Sequence, residues 1–312
     1  MSMFRYPGGK KRRAKHIVHE LTRLCDGRIT DYGEPFLGGG SIGLALLRSH
    51  SGIERVRIND ADPGVASFWT AVLQRPGSLK DRIREFSPSV DAFYQFKADL
   101  GEVDAVPAEA DDIVEVGFEK LALNRISFSG LGAMAGGPLG GRHQLGNRGI
   151  ASRWNPERLC REIDDAHDLF SKVEVVGGCC TCRDFEELVD HDEESGLAYL
   201  DPPFYKAGPM LYQRAFTQDD HERLAAVLRG SRHRWLLSYD DAPAIRDLYD
   251  WADIQEVQVG YSVNGCHRTR ELLIAPRHEP CASIVGDGLG SPSAAASVTV
   301  PAEVAPVKSL AP

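Results

Sequence analysis

Apolar positions along this chain follow two alternating rhythms. Ile17, Val18, Leu21 and Leu24 have helical spacing after a Pro-Gly-Gly turn. Residues 29–36 read as a short strand that runs into Leu37-Gly38-Gly39-Gly40-Ser41, after which 42–47 resume a helical pattern. A second strand is predicted at 56–59, closing at Asp60, followed by a helix over 65–73. Strand, helix, strand in that succession predicts an α/β protein with a doubly wound parallel sheet. Further strands are expected at 173–177, 197–200, 235–238 and 256–259, with a crossover helix over 219–228. Between the two sheet-forming regions, 86–120 read as helical segments around an acidic linker at 103–113. Residues 130–149 are glycine-rich without periodicity, the pattern of a long exposed loop, and such loops tend to be functional. Helix returns over 154–170, with Asn155-Pro156 as its start signal. From residue 281 the chain is Ala, Pro, Ser, Val and Gly, a composition expected to be disordered. The organisation expected is a sheet domain in two parts (1–80 and 171–280), an inserted, mostly helical and loop segment (81–170) and a tail (281–312).

Composition narrows the class without naming a function. At 312 residues, 42% hydrophobic and 26% charged, the chain has room for one large domain, or for a core domain with an insertion. No apolar run is long enough for a membrane span, and the polar, basic start lacks the apolar core of a signal peptide. Seven cysteines, an odd number, read as thiols of a reducing compartment, so a cytoplasmic protein is expected. A net charge of −9 speaks on average against nucleic acid. The average hides a partition. Residues 1–24 hold seven Lys/Arg against Glu20, and 121–161 hold six arginines against Glu157, with an acidic block at 99–119 between them. Two basic segments that converge in space would suit a phosphate-bearing partner.

Two motifs carry candidate chemistry. Gly38, Gly40 and Gly43 satisfy G-x-G-x-x-G between a strand and a helix, with Asp60 twenty residues past Gly40. This is a dinucleotide fingerprint, and it equally suits S-adenosylmethionine, which has the ribose but no pyrophosphate. Glu34 at the strand end favours the latter, because a carboxylate attracts a cationic methionine group and repels pyrophosphate. The second motif is Asp201-Pro202-Pro203-Phe204 at the carboxyl end of the 197–200 strand. Consecutive prolines remove two backbone donors and stiffen the turn. A carboxylate, a proline carbonyl and an aromatic ring side by side suit a planar base with an exocyclic amine. The cysteines at 179, 180 and 182 lack a second ligand pair, so no metal site is expected. His221 and His233, flanking the crossover helix, are assigned surface roles.

With these residues in view, the sequence resembles the DNA adenine-N6 methyltransferases of the Dam-like group. Arg5-Tyr6-Pro7-Gly8-Gly9-Lys10 resembles their N-terminal cofactor motif, Glu34 through Ser41 their glycine motif, and Asn59-Asp60 their ribose-binding acid. Asn124-Arg125 with Phe128, Gly130 and Leu131 resembles their target-recognition segment. Asp201 through Phe204 matches the catalytic tetrapeptide, with Phe where Tyr is commoner, and Tyr261-Ser262 through Leu273 their closing strand. The resemblance implies a Rossmann-like methyltransferase sheet with a target-recognition insertion. It implies methyl transfer from S-adenosylmethionine to adenine N6 in double-stranded DNA, with a cognate restriction enzyme as a candidate partner. Asp201, Pro202, Pro203 and Phe204 would be catalytic. Tyr6, Lys10, Glu34, Phe36, Gly38, Gly40, Asp60 and Asp201 would line the cofactor site, and Asn124, Arg125, Arg142, Arg148 and Arg153 would face DNA. A cytosine-N4 methyltransferase and a nicotinamide-dependent oxidoreductase stand as alternatives. Residues 132–151 depart from the basic, aromatic pattern of the best-known members.

Overall fold

The computed structural model describes residues 2–6, 9–25, 28–130, 136–146, 148–189, 196–206, 208, 216–261 and 267–277. The expected tail, Leu131 and the Pro7-Gly8 step lie outside these residues. A single sheet is built from β1 (Asp31–Glu34), β2 (Arg55–Ile58), β3 (Glu174–Val175), β4 (Gly196–Leu200), β5 (Arg234–Asp240), β6 (Asp253–Tyr261) and β7 (His267–Ala275). Its strand order is β3-β2-β1-β4-β5-β7-β6. The first five pair in parallel, and β7 runs antiparallel to both β5 and β6. The order reverses between β1 and β4, so their carboxyl ends form the topological switch point where ligands bind in such sheets.

Helices α1 (Ala14–Leu24), α2 (Ser41–Ser49), α3 (Pro63–Gln74), α4 (Pro76–Glu85), α5 (Val90–Asp99), α6 (Ala110–Ile126), α7 (Pro156–Phe170), α8 (Glu186–Val189), α9 (Gln218–Gly230) and α10 (Pro243–Leu248) accompany the sheet among the described residues. Strand alternation divides the core into two layers. Leu197 and Tyr199 of β4 and Leu236 of β5 point into a cluster with Ile17, Leu21, Phe68 and Trp69. Their neighbours Ala198, Leu200, Trp235, Leu237 and Tyr239 point to the other side, against Leu224 and Leu228 of α9 and Ile245 of α10.

The doubly wound α/β reading holds, with local differences. The expected strand over 173–177 is cut to two residues, because Gly177 and Gly178 take φ of +78° and +65°. The strand expected over 256–259 is longer, β6 running from Asp253 to Tyr261, and the closing strand expected from Tyr261 begins at His267 as β7. Helices of the 81–170 segment pack with the sheet domain: Ile83 of α4, Phe118 of α6 and Leu159 of α7 belong to the same cluster as α3. Helix α6 crosses α3 so closely that a Cβ at Gly117 would lie 2.6 Å from Phe68 Cα. Asp62 caps α3 by accepting from Gly64 N (2.9 Å) and Val65 N (3.2 Å), and its other oxygen pairs with Lys120 of α6.

Candidate active site

The glycine turn after β1 has the backbone that its sequence demands. Gly38 and Gly40 adopt φ of +48° and +64°, a left-handed region that costs a side-chain-bearing residue strain. Space reinforces the requirement at Gly40, where a Cβ would lie 2.5 Å from the Trp69 ring. Trp69 in turn donates its indole N–H to Gly38 O at 2.8 Å. The N-terminal segment lies across the same turn: Met3 N donates to Gly39 O at 3.0 Å, and the Tyr6 ring comes within 3.6 Å of where a Gly38 Cβ would stand. Asp60, at the end of β2, is partly exposed and ties the loops together. Its carboxylate accepts from Gly38 N at 2.8 Å and from Asp62 N at 3.0 Å. Burial and the charge of Asp62 raise its pKa to about 6. Phe36 packs edge-on to Phe216 and tilted on Phe185.

Glu34 differs from its expected role. It is buried, and one carboxylate oxygen accepts from Gly43 N and Tyr32 OH, both at 3.0 Å. Burial, opposed by the Tyr32 and Gly43 hydrogen bonds and aided by Asp201 and Asp60, raises its pKa to about 8, so the group is mostly neutral at pH 7. The acid braces the turn, and it explains the third glycine: a Cβ at Gly43 would meet the Glu34 carboxylate at 2.6 Å.

The tetrapeptide emerges from the buried strand β4 beside this turn. Asp201 Oδ1 accepts from Lys10 Nζ at 2.6 Å and from Ser238 Oγ at 2.9 Å, while among the described residues no hydrogen bond reaches Oδ2. The Asp201 side chain is 25% exposed, against 2% for Lys10. The Lys10 ammonium also lies 4.7 Å from the centre of the Phe204 ring, so Lys10 joins two members of the Asp-Pro-Pro-Phe motif. Behind it, Glu271 of β7 stands 3.6 Å from Lys10 Nζ and pairs with Arg13. Tyr199 OH lies 3.0 Å from Ser238 Oγ. Because Ser238 gives its single proton to the carboxylate, Tyr199 is the donor in that pair. The chain after Phe204 is pinned from β5, where Asp240 accepts from Tyr205 N (2.8 Å) and Lys206 N (3.0 Å). His221, expected at the surface, is 3% exposed and hydrogen-bonds Tyr239 OH at 2.7 Å. It lies on the side of α9 that packs against the sheet.

Two of the five residues assigned to DNA are buried braces. Asn124 accepts from Arg5 N (2.9 Å) and donates to Arg5 O (3.1 Å) and Gly130 O (2.5 Å). Arg125, 4% exposed, donates to Met3 O at 2.6 Å. Both side chains clamp the N-terminal segment to the insertion, in place of the DNA contact expected of them. Arg153 donates to the carbonyls of Ser127 (2.9 Å) and Phe128 (3.0 Å), while Arg142 and Arg148 are exposed. The two basic segments do converge. Burial and the charges of Arg148 and Arg158 lower the Arg5 pKa, and burial with Arg5 and Arg148 does the same to Arg153. Phe128, 71% exposed, and Leu145, 88% exposed, lie on the same insertion.

Sequence patterning gave no site role to Ser238, Glu271 or Trp69, although Ser238 lay in an expected strand and Glu271 in the closing-strand motif. Ser238 ends a strand that was expected, so the rule that ligands sit at strand ends pointed to it. Glu271 is an acid opening the apolar run Leu272-Leu273-Ile274, a pattern that calls for a buried partner.

A doubly wound sheet with a glycine turn and Asp-Pro-Pro-Phe side by side at its switch point defines a Rossmann-like methyltransferase. Residues 6–263 match the D12 class N6 adenine-specific DNA methyltransferase family, and the chain belongs to it: it is an enzyme that methylates adenine N6 in DNA. It is similar to the Type II methyltransferase M.MjaIII of Methanocaldococcus jannaschii, with 21% identity over 246 residues, covering 72% of this chain and 78% of the relative. The cytosine-N4 and nicotinamide-dependent alternatives are set aside by the family match.

Proposed function

We propose that the enzyme uses S-adenosylmethionine, and that Asp201 and the Pro202 carbonyl receive the target amine of an adenine turned out of double-stranded DNA. The observation that carries this is the division of labour on Asp201, whose Oδ1 is held from inside the protein while Oδ2 takes no hydrogen bond among the described residues. Adenine N6 is a poor nucleophile because its lone pair is delocalised into the ring. Accepting its two N–H groups at Oδ2 and the Pro202 carbonyl localises that lone pair and fixes its direction, which is mainly a positioning effect. Phe204 supplies the ring against which the base packs.

The cofactor cradle fits a nucleoside. Left-handed Gly38 and Gly40 leave the turn without side chains, the Tyr6 ring closes one side, and the partly exposed Asp60 carboxylate would accept from a ribose hydroxyl. S-adenosylmethionine, when bound, supplies an electrophilic methyl group. Tyr6, Phe36, Gly38, Gly40 and Asp60 would hold it, and Glu34 keeps the turn in shape from behind.

We infer that the DNA face comprises Arg5, Arg142, Arg148, Arg153 and Arg158, with Asn124 and Arg125 supporting it from beneath. A cytoplasmic location goes with this substrate. Among the described residues no helix is long and apolar enough to cross a membrane. By analogy with a Type II relative, the methylation protects DNA from a cognate restriction enzyme. Incubating the protein with radiolabelled S-adenosylmethionine and mixed-sequence duplex DNA, then analysing nucleosides, tests the reading. Labelled N6-methyldeoxyadenosine is expected from the wild type and none from Asp201→Ala; activity of Asp201→Ala near wild type would refute the catalytic assignment.

A further inference from the structure

Asp201 needs one oxygen occupied and the other available, and the sheet provides a residue that arranges this from a distance. Glu271 is 1% exposed on β7, in register opposite Asp240 of β5. Strand alternation puts Asp240, Ser238 and Glu271 on one face, beneath the start of the chain that carries Lys10 and Arg13. A carboxylate at this depth incurs a desolvation penalty unless cations accompany it, and Leu would pack there at no such cost. Cations beside it include Arg13, in direct contact, and Lys10, whose Nζ is 3.6 Å away. Lys10 therefore sits between Glu271 on one side and Oδ1 of Asp201 on the other, 2.6 Å away.

We propose that Glu271 is a positioning residue for methyl transfer, holding Lys10 on Oδ1 of Asp201 so that Oδ2 is left for the adenine amine. The proposal rests on the reading of Asp201 as the group that receives that amine. Lys10, Arg13, Asp201 and Glu271 together carry no net charge. The competing role for Glu271 is only to neutralise Arg13, and the two roles separate by experiment.

Glu271→Gln keeps the shape and removes the charge. The double variant Arg13→Met with Glu271→Gln restores charge balance, and it serves as the test if the single variant does not fold. Methyl transfer to duplex DNA, S-adenosylmethionine affinity by calorimetry and thermal midpoint are measured for both, beside wild type and Asp201→Ala. A positioning role lowers kcat by about 10- to 100-fold in both variants, the scale of a displaced catalytic group, with cofactor affinity within about 3-fold. It also lets the double variant regain the thermal midpoint without regaining the rate. The proposal is overturned if Glu271→Gln keeps kcat within about 2-fold, or if kcat returns together with the midpoint in the double variant. An inactive wild type or an active Asp201→Ala would overturn the parent reading instead.

Discussion

Lys10 Nζ lies 2.6 Å from Asp201 Oδ1, joining residues 191 positions apart in sequence. The contact ties the N-terminal segment to the residue proposed to receive the target amine. Lys10→Met removes the ammonium from Asp201, Glu271 and the Phe204 ring at once. It is expected to lower kcat by about 100-fold, the scale of a misplaced reacting group, while cofactor affinity changes far less. Parallel turnover and calorimetric measurements check this; a large loss of cofactor affinity with kcat intact would return Lys10 to the cofactor site alone.

Ser238 relays a hydrogen bond from the buried Tyr199 to Asp201. Ser238→Ala leaves the Tyr199 hydroxyl without that acceptor, at a cost of about 1–3 kcal/mol for an unpaired buried donor. Removing both hydroxyls, in Ser238→Ala with Tyr199→Phe, is expected to recover much of that stability, because the orphaned donor is gone. Turnover should stay low in both, since Asp201 has lost a fixed partner either way. Urea unfolding and initial rates on the two variants decide the point.

Glu34 makes stability depend on pH in a definite direction. Its pKa rises from an ordinary 4.5 to about 8 in the folded protein, chiefly through burial. Below about pH 4.5 both folded and unfolded forms carry the proton, so the burial is unpenalised. Between about 4.5 and 8 the unfolded chain releases the proton and the folded one retains it, so folding stability falls as pH rises; above about 8 the loss is complete. Glu34→Gln keeps a neutral acceptor for Gly43 and Tyr32. It is expected to raise the thermal midpoint most at pH 8–9 and to have little effect near about pH 4.5. An equal shift at both ends of the range would mean that Glu34 is ionised or solvated in the folded protein.

The sheet and the Asp-Pro-Pro-Phe turn at its switch point were legible because they depend on local rules. Apolar rhythm marks β1, β2, β4 and β5, and a glycine turn or a proline pair at a strand end needs no distant partner to be recognised. What escaped is what distant contacts decide. Asn124 and Arg125 read as polar residues of a recognition segment, yet the close crossing of α6 over α3, made by Gly117, carries them inward to the N-terminal segment. Glu34 looked like a counter-charge because patterning places it at a strand end but cannot weigh its desolvation. Charge blocks were more informative. The convergence of Arg5 with Arg148 and Arg158 was foreshadowed by two basic segments in a chain of net charge −9.

That convergence sets a last expectation, on DNA binding. Each phosphate contact releases condensed counterions, so affinity for duplex DNA falls with salt in proportion to the contacts made. Arg142 and Arg148 are exposed, and Arg148 is a charge neighbour of Arg5 and Arg153. Arg142→Ala and Arg148→Ala are expected to weaken binding to all duplexes alike, each lowering the slope of log affinity against log salt by about 1. Phe128→Ala deletes an exposed ring and no charge, so the slope should be unchanged while discrimination between duplex sequences falls. Asn124→Ala acts differently again. It frees Arg5 and Gly130 from their clamp, so it should lower the thermal midpoint and weaken DNA binding together. Fluorescence anisotropy across a salt series separates the three. Unchanged slopes for both arginine variants would move the DNA face away from the 142–148 loop.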